Sequence, residues 1–400
     1  MSQELLSLSQ DLKRLRDEGY FIQIRGGVLL VREVPYVNAQ RQVKRGTLIS
    51  ALDMAGNQTR KPGTHVAQFA GERPCDSDGN YLDNIYNSAI NQDYGNGIVA
   101  KHQFSSKPPG PNGYTDYYQK MTTYASLLSG PATTLQTDVT CRVFKVPDEE
   151  EKSVFNYTET ASARVGISAV NAKLADEKVA IVGLGGTGSY VLDLVAKTPV
   201  QEIRLFDGDE FLQHNAFRSP GAPSIEQLRD APKKVDYWNA IYSKMRMGIQ
   251  ANPVHITESN LHLLDGITFA FLCLDKGLIK KPIIIKLEDI GASFVDTGMG
   301  LNLASGALVG QLRLTSSTPD RREHVYAPGR ISFEDDPNED IYTSNIQVAE
   351  LNSMNANLAV LKWKKFRGFY HDLEQEHHCL YAIDGNQMIN SEGIECNNSD

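Results

Sequence analysis

An apolar segment that ends in closely spaced glycines constrains this chain more than any other feature. It reads VAIVGLGGTG over residues 179–188, with glycines at Gly183, Gly185, Gly186 and Gly188, and a helical pattern follows. Glycines between a strand and a helix let the backbone approach a phosphate, and the unpaired N–H groups at the helix start favour an anion. The segment therefore predicts a nucleotide-binding strand–turn–helix unit.

Two acids and two further polar residues follow the next apolar run. Asp207 lies 19 residues after Gly188, close to the distance of about 20 at which an acid bonds a ribose hydroxyl in such units. Asp209, Asn215 and Arg218 come soon after it. Hydride transfer needs no such density of polar groups beside the phosphates. The set therefore favours phosphate chemistry over a dehydrogenase.

A lysine and another acid complete the predicted site. Lys233 follows Pro232, and Asp275 ends the apolar run 266–275. Because the carboxyl ends of parallel strands share one edge of a sheet, we expect these groups to converge with the first set. Cations stabilise the charge that builds on phosphates, and an acid can hold magnesium. The pattern predicts ATP- and Mg²⁺-dependent adenylation, in which AMP moves to a carboxylate and pyrophosphate leaves.

Length and composition are those of a globular protein. The 400 residues suffice for two or three domains, with 41% hydrophobic and 22% charged residues. A net charge of −9 and the lack of a long basic block argue against a nucleic-acid partner. The N-terminus has the pattern of a charged amphipathic helix, and no apolar run reaches the length of a membrane span. We therefore expect a protein with no membrane partner.

The cysteines indicate a reduced compartment, which we interpret as the cytoplasm. They form an odd, scattered set without a CxxC pair: Cys75, Cys141, Cys273, Cys379 and Cys396. Such a set is neither a disulfide framework nor a structural zinc site, so we expect no zinc. Cys75 and Cys379 are interpreted as structural, although the histidines beside Cys379 leave a thioester step open.

The chain divides at an acidic segment that begins with a proline, residues 147–152. We expect an α+β domain over 1–150 and an α/β domain with a mostly parallel sheet over 151–400. In the first domain, a helix over 1–18, a hairpin around Gly26–Gly27 and a strand over 137–146 are predicted. Its tyrosine-rich helix is interpreted as core. In the second, a strand is predicted over 253–260 and a helix broken at Pro232 over 224–245.

Taken together, these motifs resemble the ThiF/MoeB and ubiquitin-activating enzyme superfamily over about residues 160–375. In that family a GxGGxG loop precedes an acid pair, then S-N-L-x-R-Q, then P-K, and then a strand that ends in D-x-T-D-N. The matching residues are Gly183, Gly185, Gly186, Gly188, Asp207, Asp209, Asn215, Arg218, Lys233 and Asp275. Two positions depart from the pattern, because His214 replaces the serine and Lys276 replaces the final asparagine.

The resemblance implies a fold, a reaction and partners. It implies a Rossmann-like domain that adenylates the C-terminal glycine carboxylate of a ubiquitin-like protein, in a bacterial ubiquitin-like conjugation pathway. Asp207 would bind the ribose of ATP, Asp275 the Mg²⁺ ion, and Arg164 the ATP site of the partner protomer in a homodimer. The extra N-terminal domain would recruit a partner, for which a ubiquitin-conjugating-like enzyme is one candidate.

Three other functions remain open from the sequence. The adenylated carboxylate could belong to a small molecule or a peptide instead of a protein tail. An NAD-linked oxidoreductase would use the glycines and Asp207 but leave Arg218, Lys233 and Asp275 unexplained. A nucleotide-binding scaffold without turnover would use the same loop.

Overall fold

The chain folds into two compact units, residues 1–172 and 173–400. The computed structural model describes residues 8–145, 153–164, 167–334 and 346–393, so the predicted boundary at 147–152 lies outside the described residues. Among these residues, no helix combines the length and apolarity needed to cross a membrane.

The first unit is built on a six-stranded antiparallel sheet in the order β1-β2-β3-β6-β8-β7. The predicted hairpin is confirmed, because Gly26 and Gly27 both have positive φ and join β1 to β2. The strands are β1 Phe21–Arg25, β2 Val28–Val37, β3 Val43–Ala51, β4 Met54–Ala55, β5 Gln58–Thr59, β6 Val66–Ala70, β7 Tyr86–Asp93 and β8 Val99–Ser105. Its helices are α1 Gln10–Asp17, α2 Tyr117–Leu135, α3 Ala161–Arg164 and α4 Ser168–Ala172.

Helix α2 covers the sheet with the tyrosine-rich face that the sequence predicts as core. Asp116 begins it, because its carboxylate accepts a hydrogen bond from the Gln119 N–H. Tyr117 and Tyr124 are fully buried on this face. Their hydroxyls bond main-chain groups of the loops that follow β3 and β8. The antiparallel sheet with helices confirms the α+β prediction.

The second unit is built on an eight-stranded mixed sheet in the order β11-β10-β9-β12-β13-β14-β15-β16. The first five strands in that order are parallel, and the last four are joined in antiparallel pairs. The strands are β9 Lys178–Val182, β10 Glu202–Phe206, β11 Ile249–Asn252, β12 Phe269–Leu272, β13 Ser293–Ala304, β14 Ala307–Ser317, β15 His378–Ala382 and β16 Gln387–Ser391.

Helices cover both faces of the parallel part, which explains why β9 and β12 read as continuous apolar runs. They are α5 Gly186–Ala196, α6 Gln213–Ala216, α7 Ile225–Asp230, α8 Lys234–Tyr242, α9 Lys280–Asp289 and α10 Ala349–Phe366, with 3-10 helices at Glu258–Leu264 and Glu323–Tyr326. The predicted helix break at Pro232 is confirmed, since α7 ends before it and α8 begins after it. This is the Rossmann-like α/β architecture that the sequence predicts.

Two predicted strands are wrong. Of the strand predicted over 137–146, the described residues 137–145 make only an isolated bridge at Arg142, and the side chain of Cys141 is buried against α2 instead. The strand predicted over 253–260 lies earlier, at Ile249–Asn252, and a 3-10 helix begins at Glu258. Pro253 follows that strand directly and has no N–H to continue the ladder.

Candidate active site

Three neighbouring parallel strands end at the same level and carry most of the predicted site. Val182 of β9 pairs with Phe206 of β10 on one side and with Leu272 of β12 on the other. The glycine loop follows β9, Asp207 follows β10, and Asp275 lies three residues past β12. The fold therefore places the glycine loop, the acid pair and Asp275 at one edge of the sheet.

The glycine loop is held by backbone contacts that exclude larger residues at two positions. Gly183 has φ of +89°, and a Cβ atom there would lie 2.5 Å from the Cys273 carbonyl oxygen. A Cβ atom on Gly188 would collide with the Gly183 carbonyl oxygen. The loop must therefore turn tightly at Gly183 and pack closely at Gly188, as the sequence predicts.

The two middle glycines have different surroundings. A Cβ atom on Gly185 would meet no described atom within 4 Å beyond its chain neighbours, so open space lies above this residue. A Cβ atom on Gly186 would collide with the Asn352 side chain of α10. Gly185, at the N-cap of α5, is thus where a phosphate could approach the backbone. Gly186 also has a packing reason that the sequence does not reveal.

Asp207 fixes the shape of this loop. It is buried, and its Oδ2 atom accepts a hydrogen bond of 2.7 Å from the Leu184 N–H. Its Oδ1 atom accepts one of 2.9 Å from the Asp209 N–H. The carboxylate therefore ties the glycine loop to the turn after β10. Its role as a ribose ligand stays a prediction.

A second lysine, Lys234, is the cation closest to the acid pair. Its Nζ atom lies 2.8 Å from Asp209 Oδ2 and 3.6 Å from Asp207 Oδ2, and the residue is buried. The predicted Lys233 is more exposed and donates a hydrogen bond of 2.9 Å to the Gly208 carbonyl oxygen. The sequence pattern assigns a site role to Lys233 and none to Lys234. The doubled lysine after Pro232 is a signal that could have revealed it.

Asp209 lies among several cations. Burial raises the pKa of its carboxyl group, but the hydrogen bond to Lys234 and the charges of Lys234, His255 and Lys276 outweigh that effect and lower it. The His255 Nε2 atom is 3.5 Å from Asp209 Oδ1, and its ring occupies the space that a side chain at position 208 would need. His255 and Lys276 are therefore further residues of this edge that sequence reasoning did not assign.

Two of the predicted site residues have a donor without a hydrogen-bond partner among the described residues. They are the buried Nδ2 atom of Asn215 and the buried Nε atom of Arg218. Asn215 is positioned by its own Oδ1 atom, which accepts a hydrogen bond of 2.9 Å from the Leu212 N–H. Burial lowers the pKa of Arg218, and the nearby Asp275 carboxylate opposes that shift. Buried donors without partners are suited to an anionic ligand, since an unsatisfied buried group is otherwise unfavourable.

Among the described residues, no group of three or more His, Cys, Asp or Glu side chains could hold a metal ion by itself. Mg²⁺ is commonly bound by one or two carboxylates together with substrate phosphates and water. The exposed Asp275 at the strand edge is compatible with that mode. A magnesium ion at this site would therefore need the phosphates of a nucleotide as further ligands.

The remaining predicted residues fall into two groups. The side chain of Arg164, at the end of α3, and the whole of Cys396 lie outside the described residues. The thiols of Cys75 and Cys379 are described, and neither is activated. Burial raises the pKa of Cys75, and it raises the pKa of Cys379 to about 11. Cys379 lies in β15, as an ordinary strand residue.

Two parts of the chain match models of protein families. Residues 159–286 match the model of the ThiF family, and residues 10–160 match DUF6791, a domain of unknown function. The chain is 23% identical over 157 residues to ubiquitin-like modifier-activating enzyme 5 of Culex quinquefasciatus, a match that spans 36% of this chain and only 40% of that enzyme.

Solved structures with a similar fold include E. coli MccB with AMPCPP and MccA, at 16% identity and a TM-score of 0.44, covering 56% of this chain and 65% of MccB. PaaA is similar at 14% identity and a TM-score of 0.45, covering 72% of this chain and 92% of PaaA. The match of residues 159–286 to the ThiF family model confirms the resemblance that the motifs indicate, and residues 10–160 match a domain of unknown function.

Proposed function

We propose that this protein adenylates the C-terminal glycine carboxylate of a ubiquitin-like protein, with ATP and Mg²⁺, and releases pyrophosphate. The observation that carries the proposal is the set of phosphate-directed groups at one edge of the sheet. There is open space above Gly185, and Asn215 and Arg218 each have a buried donor without a described partner. Both features lie at the edge of the sheet where Lys234 binds the acid pair. Membership of the ThiF family supports the same chemistry.

Each side chain has a role in that reaction. The N–H groups at the start of α5 bind a phosphate. Asp207 keeps the glycine loop in shape, and the turn that begins at Asp207 faces the ribose. A carboxylate oxygen of the substrate attacks the α-phosphorus, and the bond to pyrophosphate breaks with its electron pair. Arg218 and Lys233 stabilise the charge that develops on the phosphates, and Lys234 holds Asp209 in place. Asp275 would hold a Mg²⁺ ion, which would neutralise charge that develops on the phosphates.

The active form in this proposal is a homodimer. The position of Arg164 ahead of β9, together with the family resemblance, supports a role in the ATP site of the partner protomer. Arg164→Ala and Asp275→Ala homodimers should both be inactive. A mixture that exchanges subunits should regain partial activity, because one site of the heterodimer keeps both groups. Failure to regain activity in dimers shown to exchange would contradict a shared site.

The decisive experiment is ATP–pyrophosphate exchange with ubiquitin-like proteins that end in glycine. We expect exchange only when such a carboxylate and Mg²⁺ are present, and its loss in Asp275→Ala. Asp289→Ala, which removes an exposed carboxylate from α9, is the matched control and should keep the wild-type rate. Exchange with short peptides but not with proteins would favour a peptide substrate. Tight NADH binding without ATP binding would overturn adenylation in favour of an oxidoreductase.

A further inference from the structure

Three charged side chains meet at the level where β12 ends. Asp296 of β13 is 0% exposed and pairs with Leu272, the last residue of β12. The Lys280 Nζ atom lies 2.9 Å from Asp296 Oδ1, and the Arg313 Nη2 atom lies 2.7 Å from Asp296 Oδ2. In the described ion pairs, no other carboxylate joins these two cations. We refer to Lys280, Asp296 and Arg313 as the buried triad.

The surroundings of the buried triad hold it in one arrangement. The Arg313 guanidinium also donates to the Arg330 carbonyl oxygen and, at 3.0 Å, to Thr315 Oγ1. Lys280 is only 3% exposed. Its Nζ atom approaches Asp296 Oδ1 without the geometry of a hydrogen bond, so this contact is an ion pair. The position of the Lys280 side chain therefore depends on the charge of Asp296.

A short loop joins the buried triad to Asp275. The loop spans residues 273–279, between the end of β12 and Lys280, the first residue of α9. At its start, Thr297 Oγ1 donates to the Leu272 carbonyl oxygen at 3.2 Å. Asp275 lies in this loop, five residues before Lys280. A shift of Lys280 would therefore move the carboxylate to which the proposed reaction assigns the metal.

The middle of the loop has little freedom, so its placement depends on its ends. A Cβ atom on Gly277 would collide with the Glu334 carbonyl oxygen, which shows how closely the two main chains pack. Apolar side chains could anchor the start of α9 as firmly, since replacing a buried ion pair by apolar groups often leaves stability unchanged or raises it. A charged anchor adds a defined geometry, because the ammonium group must stay beside the carboxylate.

We propose that the buried triad is a positioning device, in which the ion pair of Lys280 with Asp296 sets the end of loop 273–279 and thereby aims Asp275 at the metal of the bound nucleotide. The inference rests on the proposed adenylation and assigns the placement of its metal-binding carboxylate. The members of the triad touch no reacting group. They act through Asp275, because the groups that orient a metal ligand control the affinity of the site.

The test compares two lysines of helix α9 in the full-length protein. Lys280→Met removes the charge but leaves Asp296 paired with Arg313, so no buried carboxylate loses its last partner. Lys286→Met is the matched control, because Lys286 forms a more exposed ion pair, with Asp265, on the same helix. We measure Mn²⁺ binding in the presence of AMPCPP by electron paramagnetic resonance. We expect roughly 10-fold weaker binding in Lys280→Met and wild-type binding in Lys286→Met.

Two further readings separate positioning from a merely structural role. Amide hydrogen exchange in segment 273–279 should be faster in Lys280→Met without any ligand, because the end of the loop is released. In pyrophosphate exchange, the Mg²⁺ concentration for half-maximal rate should rise by a similar factor of roughly 10. A merely structural loss would lower the melting temperature and the amount of active protein without moving this concentration.

A conservative variant keeps the test independent of folding. Lys280→Arg preserves the charge beside Asp296 and should bind Mn²⁺ with AMPCPP as the wild type does. If Lys280→Met melts well below the wild type, binding is compared at a temperature at which both proteins are folded. Weakened binding in both variants, or in neither, would overturn the positioning proposal.

Failure of this proposal and failure of adenylation are distinguishable. Wild-type Mn²⁺ binding and unchanged hydrogen exchange in Lys280→Met, with working pyrophosphate exchange, would overturn positioning and leave adenylation standing. If no carboxylate supports pyrophosphate exchange in the wild type, adenylation fails, and Mn²⁺ binding and hydrogen exchange still decide on positioning. A wild type that binds AMPCPP but no Mn²⁺ would overturn the positioning proposal, because Asp275 would then hold no metal.

Discussion

Both units of this protein bury lysines, and two of them, Lys120 and Lys234, have opposite surroundings. In the N-terminal unit, the Lys120 ammonium group bonds only neutral oxygens in the described hydrogen bonds, Ser50 Oγ and the Thr64 carbonyl oxygen, both at 2.9 Å. In the C-terminal unit, Lys234 lies between the carboxylates of Asp207 and Asp209. Burial lowers the pKa of Lys120 to about 8, and the charge of Asp53 opposes the shift only in part.

The difference distinguishes a structural polar group, Lys120, from Lys234, to which we assign a role in the proposed reaction. Lys120 joins β3 to the loop before β6, and a neutral amine can serve that purpose. Lys234 is held beside two anions, at an edge where further cations and unpartnered donors meet. A lysine paired with carboxylates in a partly open site is suited to phosphate chemistry. A buried lysine that bonds only neutral oxygens is typical of the protein core.

The largest expected effect comes from removing Lys234. Lys234→Ala should lower the rate of pyrophosphate exchange by roughly 10- to 100-fold, because Asp209 loses the partner that holds it in place. Lys120→Met, the matched change in the other unit, should leave exchange within a factor of about two, since the described hydrogen bonds of Lys120 stay within the N-terminal unit. Wild-type exchange in Lys234→Ala, or its loss in a folded Lys120→Met protein, would break the comparison.

The second effect is a pH dependence confined to the N-terminal unit. Because the folded pKa of Lys120 is about 8 and its ordinary value is 10.5, the unfolded chain binds more protons between these two values. The free energy of unfolding of the wild type should therefore rise relative to Lys120→Met as the pH increases from 8 to 10.5, by about 3 kcal/mol at most. Denaturant unfolding at several pH values measures this. A constant difference would mean that Lys120 stays charged.

A smaller effect distinguishes a glycine that leaves space for a ligand from one that packs. Gly188→Ala should destabilise the C-terminal unit by about 1–3 kcal/mol, because its Cβ atom collides with the Gly183 carbonyl oxygen. Gly185→Ala should leave the melting temperature almost unchanged but weaken ATP binding, since its Cβ atom enters open space. Calorimetric melting and ATP titration of both variants provide the readings. ATP affinity that is unaffected by Gly185→Ala would place the phosphates elsewhere.

The smallest effect is expected from replacing the cysteines, which should leave pyrophosphate exchange unchanged. Burial raises the pKa of Cys379 to about 11 and that of Cys273 to about 12, so neither thiol is a nucleophile near neutral pH. Cys75→Ser and Cys379→Ser proteins should support pyrophosphate exchange at the wild-type rate. A reductant-sensitive adduct between Cys379 and a ubiquitin-like tail, absent in Cys379→Ser, would show that the protein also carries a thioester step.

Hydrophobic periodicity and turn residues predicted most of the helices and strands. They failed where a strand depends on a neighbouring strand to pair with. The strand at 266–275 and the helix break at Pro232 were predictable, because burial on both faces and a missing N–H act locally. The prediction of a strand over 137–146 was wrong, since an alternating pattern does not show whether a neighbouring strand is available for pairing. The side chain of Cys141 is buried against α2 instead.

The sequence by itself determined the nucleotide loop, the acid pair after β10, and the order of the motifs, because spacing within a strand–turn–helix unit is a local property. Only the tertiary structure decided that Lys234 binds both acids, that His255 fills the space beside Gly208, and that α10 brings Asn352 to Gly186 and Asn355 to β13. These contacts join segments that are far apart in the chain. Their partners are selected by packing of the whole unit, which no local pattern encodes.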